Sequence, residues 1–238
     1  MNLVVQSQRR KFNDQRVSDF NTPRTTMDYN KQVSAVQRSV SKPSTISNGK
    51  DARSISLTQS FPTDPQNLWD AITKPDRLKA WFSPVSGDLH VNGAYSIEGN
   101  ASGTILECEA PKRFALTWEF CEGMSSVTVT LSHEPSSGTT LRLKHTFDVD
   151  DHWLQYGAGA AGIGWDMSFL GLAMHLRNLP KPSEDDWAAS ANAAEFTERS
   201  SVAWMIAAIR GGEAEDQAKA AAHNSTVFYL PGWESKTL

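Results

Sequence analysis

The chain has 238 residues, 39% of them hydrophobic and 21% charged, with a formal charge of −4. That length carries one large domain or two small ones, and the composition is that of an ordinary globular fold. Residues 1–50 hold nine Lys/Arg against three Asp/Glu and the remainder 14 against 24, so the acidic body lacks the clustered basic charge and aromatic ladder that grip nucleic acid.

Residues 1–51 read as a disordered basic arm, rich in Ser, Asn, Gln and Arg and too poor in apolar residues to offset the entropy of ordering. Two alternatives stand beside this. Residues 1–26 have the Arg- and Ser-rich, acid-poor composition of an organelle transit peptide, or Met27 is the true start and MDYNKQVSAVQRSV forms a short helix. The N-terminus has no hydrophobic secretory signal, and Cys108 and Cys121 have no metal-ligand spacing. Both thiols are therefore expected to be reduced and the protein cytoplasmic, with an organelle as the alternative if 1–26 is a transit peptide. No metal and no cofactor is expected.

The core domain is expected over 52–180. Ile55, Leu57, Gln59 and Phe61 alternate with serines and a threonine, a half-buried strand that Pro62 ends. Thr63 or Asp64 is placed to cap a helix with Pro65 in its first turn, Leu68, Trp69 and Ile72 on one face, and a stop at Lys74-Pro75. A second short helix follows at Asp76–Phe82. Strands are expected around Gly87–Val91, Ala94–Glu98, Gly103–Glu109, Phe114–Phe120, Ser126–His133 and Thr139–Val149, joined by short turns and so antiparallel. Asp150 or Asp151 caps a long helix, His152–Arg177, bent somewhere in Gly157–Gly164. Its most apolar stretch, Tyr156–Leu176, contains five glycines and Asp166, which marks a buried helix and no membrane span. Its Gly157-Ala-Gly-Ala-Ala-Gly string follows no βαβ strand and is no dinucleotide fingerprint; the glycines are expected to let the helix approach the sheet. Residues 181–238 read as a helical appendage packed on the core, broken at Gly211-Gly212.

Three segments together, FPTDPQNLWDAITKPDRLKAWF, the run Gly103–Trp118 and the Gly164-Trp165 helix, resemble the SRPBCC, or START-like, superfamily. The subgroup they resemble most is the one named for the C-terminal domain of the activator of heat-shock protein 90 ATPase. The resemblance covers about residues 52–178. It implies an α+β helix-grip fold, a curved antiparallel sheet wrapped around a long C-terminal helix with a hydrophobic cavity between them. Known members carry lipids, sterols or polyketides, bind chaperones, or catalyse cyclisation. Residues 1–50 are too short for the activator's separate ATPase-stimulating domain.

Candidate site residues follow from which faces point inward. His145 shares a strand face with Leu141, Leu143, Phe147 and Val149. It reads either as a cavity group that holds a polar end or moves a proton, or as a core histidine bonded to backbone or water. Trp118 shares a face with Phe114, Leu116 and Phe120; Trp165 and Phe169 are four apart on the long helix; Trp81 and Phe82 sit on the second short helix, which the resemblance implies forms the cavity mouth; Tyr95 joins them as a wall residue. Asp166 is expected at the solvent edge, or else as an acidic partner for His145. Asp148, Asp150, Asp151 and His152 read as caps rather than metal ligands. The first functional reading is a carrier of a small hydrophobic or aromatic ligand, lined by Trp81, Phe82, Tyr95, Trp118, Phe120, His145, Trp165 and Phe169. The alternatives are an enzyme of the polyketide cyclase/hydrolase type using His145 with Asp166, and a protein-interaction module with a chaperone or a homodimer as partner.

Overall fold

The computed structural model describes residues 26–45, 49–121 and 123–233. The order is α1 (Tyr29–Ala35), β1 (Gln37–Val40), β2 (Ser44–Thr45), β3 (Asp51–Phe61), α2 (Pro65–Thr73), α3 (Pro75–Trp81), β4 (Val85–Gly87), β5 (Ala94–Ile97), β6 (Ser102–Glu109), β7 (Arg113–Phe120), β8 (Gly123–Glu134) and β9 (Gly138–Asp148). Then come α4 (Asp151–Tyr156), α5 (Gly159–Leu176), α6 (Glu184–Ala188), α7 (Ala191–Arg210) and α8 (Glu215–Tyr229). The strands form one antiparallel sheet in the order β1-β3-β9-β8-β7-β6-β5-β4, with β2 also on β3. The fold is α+β, the helix-grip arrangement of an antiparallel sheet against a long C-terminal helix.

Period-two alternation builds the inner face of that sheet. The pairing places Leu57, Leu143 and Val129 in one row and Ile55, His145 and Val127 in the next, all buried. Phe61 meets Phe169 of α5 across the interface, ring centroids 6.3 Å apart. Asp64 caps α2 by accepting from Asn67 N, with Pro65 in the first turn, as the sequence implies. Asp150 caps α4 in the same way, accepting from Trp153 N.

Four expectations are corrected. The arm expected to be disordered over 1–51 is ordered in its described part from α1 onward. Val33, Val36 and Val40 are buried, and β1 pairs with β3 from Gln37↔Thr58 to Val40↔Ile55. A few well-placed valines and a buried guanidinium hold what average composition would leave loose. Residues 1–25 and 46–48 lie outside the described residues.

The strand expected at Gly87–Val91 is only β4, Val85–Gly87. Residues 88–93 turn back through bonds from Asp88 N to Ala94 O and Gly93 N to His90 O, with Asn92 at φ 68°.

The expected helix over His152–Arg177 is two helices, because Gly157 adopts φ +55° between α4 and α5. The glycines of α5 also serve a different neighbour from the one expected. A Cβ on Gly162 would stand 2.3 Å from the Trp204 ring of α7, and one on Gly159 2.6 Å from Ser225 Oγ of α8. They admit the α7–α8 pair, not the sheet.

Candidate ligand-binding cavity

Between the sheet and α5 lies a cavity of about 260 Å3. Its floor is aliphatic: Leu141 and Leu143 from β9, Val127 and Val129 from β8, and Leu172 from α5. Aromatic rings stand over it. Trp165 and Phe169, one helical turn apart on α5, both line it, as do Trp81 and Phe82 at the end of α3, Tyr95 of β5 and Trp118 of β7. Pro75, Ser86, Asp88 and Leu89 line it as well and are exposed, so the mouth lies between α3 and the β4 turn.

The polar ring atoms of Trp81, Trp165 and Tyr95 are already engaged. Trp81 Nε1 donates to Ala71 O at 2.9 Å, Trp165 Nε1 to His145 Nδ1 at 3.0 Å, and Tyr95 Oη to Thr117 O at 2.6 Å. Burial pushes the Tyr95 phenol above its ordinary value of 10.0. At these three residues the walls therefore present ring faces and hydrocarbon rather than unmet donors. Water in such a space lacks the two to four partners that hold a buried molecule.

Phe120 is not part of this wall. It is 52% exposed and pairs with Gly123 beside the β7–β8 turn, where the hairpin tip has run out from under the core. Met124, beside it, is 66% exposed.

His145 is buried, 3% exposed, yet does not line the cavity. It lies behind the rings of Trp118 and Trp165, with centroids 5.6 and 5.9 Å away, and against Phe147 at 3.9 Å. Its Nδ1 accepts from Trp165, which places the proton on Nε2, 2.8 Å from Ser125 Oγ; Ser125 Oγ in turn donates to Trp118 O at 3.1 Å. One directed chain thus fixes a neutral tautomer. Protonating Nδ1 would set two donors against each other, and burial pulls the imidazole from 6.5 down to about 3. His145 is thus packed as a core residue, but its partners are the side chains of Trp165 and Ser125 rather than backbone or water.

Asp166 is corrected more sharply. It is fully buried, at 0% exposure, not at the solvent edge. It does not meet His145 either. Arg38 of β1 reaches it with Nε at 2.9 and 3.1 Å and Nη2 at 2.9 Å; Trp204 Nε1 donates at 2.9 Å, and Ser200 Oγ donates to the same carboxylate. Burial pushes its carboxyl above 3.8 while the Arg38 charge and the three donating side chains pull the other way. Every partner is a donor, the pattern that suits a carboxylate. Arg38 spends its remaining nitrogen on Val33 O and Val36 O. Sequence reasoning missed Arg38, Ser200 and Trp204 as partners. An arginine in an apolar-poor arm gives no sign that it pairs 128 residues away.

Among the described residues no group of three or more His, Cys, Asp or Glu side chains could hold a metal ion. Asp148 pairs with Lys50 at 2.8 Å and Asp150 caps α4. No helix among the described residues is long and apolar enough to cross a membrane.

Known proteins extend this picture. Residues 62–177 match the family described as activator of Hsp90 ATPase homolog 1-like protein. The crystal structure of CalU16 from Micromonospora echinospora is 30% identical, with a TM-score of 0.57, covering 73% of this chain and 98% of that one. The solution structure of the same protein gives 31% identity and a TM-score of 0.63, covering 74% and 97%. No curated protein matches the chain. An antiparallel sheet, a long helix and a cavity between them define a helix-grip protein of the SRPBCC superfamily. The chain belongs to its activator of Hsp90 ATPase homolog 1-like family.

Proposed function

We propose that the protein binds a small apolar or aromatic molecule in the cavity between the sheet and α5. One observation carries the reading: about 260 Å3 of space walled by hydrocarbon and by the rings of Trp81, Phe82, Trp118 and Trp165, with the indole donors of Trp81 and Trp165 satisfied within the protein. Scaling from a 150 Å3 cavity that takes benzene, the space suits about ten heavy atoms, a bicyclic aromatic in size. Binding would be driven by transfer of apolar surface out of water, about 25 cal/mol per Å2, and oriented by ring stacking. Ser86 and Asp88 at the mouth are the groups that would meet a polar substituent.

The test is a calorimetric titration of 2-naphthol into the full chain and into Leu143→Trp, which fills the floor. Saturable one-to-one binding, weakened at least tenfold in the filled variant, is the expected result. Absence of saturable binding to the wild-type chain, or equal binding to a folded Leu143→Trp, contradicts the reading.

A further inference from the structure

A second cavity, about 250 Å3, adjoins the first. Trp81, Phe82 and Ser168 border both, so the two spaces share a wall one side chain thick. The parts of that wall are held differently. Trp81 is 8% exposed and anchored through Nε1 to Ala71 O. Its carbonyl comes so near α5 that a Cβ on Gly171 would stand 2.8 Å from it. Ser168 donates to Gly164 O. Phe82 follows the last residue of α3, is only half-buried, and has no polar atom to tether its ring. It is the one element of the partition that rotation about two side-chain bonds can withdraw.

The far walls come from two sources. Met167, Leu170 and Met174 project from α5, while Pro182 and Trp187 belong to the segment after residue 177, where the family match ends. Thioethers and an indole make an adaptable apolar lining. Lys181 and Glu184 border the same space and are exposed, and neither has an ion-pair partner among the described residues.

Resting on the binding reading of the first cavity, we infer that the two spaces are halves of one elongated site, with Phe82 as the partition a ligand displaces. The ligand class is a long, mostly hydrocarbon amphiphile of about twenty heavy atoms. Its apolar end fills the space under Trp118 and Trp165. Its chain passes Phe82, and its polar end emerges beside Lys181.

The experiment is a calorimetric series of straight-chain alkanoic acids, from octanoic to hexadecanoic, on the full chain, run beside 2-naphthol. The first cavity alone holds about ten carbons. Affinity is expected to keep rising roughly fourfold per methylene beyond that length. In Met167→Trp, which occupies the second space, the rise is expected to stop near ten carbons while 2-naphthol binds as before. If 2-naphthol binds but wild-type affinity levels off at ten carbons, the joined site is overturned and the first cavity stands. If a folded Met167→Trp keeps the full rise, the joined site is overturned as well. If neither 2-naphthol nor any acid binds, the reading of the first cavity falls and this inference with it. Should Met167→Trp fail to fold, the wild-type series decides alone.

Discussion

Trp165 and Asp166 are consecutive on α5 and face two different interiors. On the sheet side, Trp165 borders an apolar cavity and spends its one donor on His145. On the other side, Asp166 sits in a filled polar knot with Arg38, Ser200 and Trp204, with no solvent exposure. Both regions are buried, and both look like sites from the sequence. The difference is whether anything is left over. In the knot each donor and acceptor has its match inside the chain, which makes it a fastener joining β1, α5 and α7. In the cavity the donors of Trp81, Trp165 and Tyr95 are matched, and the unmatched quantity is volume. Space without polar demand is what an apolar guest fills.

Removing one side of the knot should show the largest effect. Asp166→Ala leaves Arg38 buried and uncompensated and is expected to cost about 3–5 kcal/mol in urea unfolding. A loss under about 1 kcal/mol would mean that the pair is not the fastener described.

The histidine chain behind the cavity comes next. The folded pKa of His145 lies near 3, below its ordinary 6.5, so its stabilisation is complete above pH 6.5. Between those values the unfolded chain takes up a proton that the native one does not. Stability should therefore fall as pH drops from 6.5 toward 3, by up to roughly 1.4 kcal/mol per unit from this group. Unfolding followed against pH in His145→Leu should lack that component; an unchanged slope would place the proton elsewhere.

Trp165→Phe keeps the ring against the cavity but strips the donor from His145 Nδ1, at an expected cost of about 1–2 kcal/mol. Smallest of all, Phe120→Ser at the exposed hairpin tip should change stability by no more than about 0.5 kcal/mol and leave 2-naphthol binding untouched. Weakened binding would return Phe120 to the wall from which its exposure removes it.

Much of this architecture was legible in the residues. Capped helix starts at Asp64 and Asp150 and alternation through Leu141, Leu143 and His145 fix the elements and the inward face. What was hidden has physical causes. Strict alternation puts Ile105 and Glu107 on one face, but the register shifts between them. Ile105 therefore points inward while Glu107 is exposed and pairs with Arg113 at 2.6 Å. A bulge of one residue leaves no mark in a period-two pattern. Asp166 could not be oriented because α5 is apolar around most of its circumference, buried between sheet and helices, and has no polar stripe to define an outside. Arg38 was illegible because its partner is distant in sequence and its own segment is short. The second cavity depends on Pro182 and Trp187 folding back toward α5, a tertiary approach that no local spacing encodes.

The contrast between the two faces of α5 can be read in a single experiment. Indole N–H signals of the full chain, assigned by single Trp→Phe variants, are followed by two-dimensional 1H–15N NMR during titration with 2-naphthol. The account expects the signals of Trp81, Trp118 and Trp165 to move saturably together while that of Trp204, locked on Asp166, stays in place. No movement of the first three, or a shift of Trp204 as large as theirs, would contradict it.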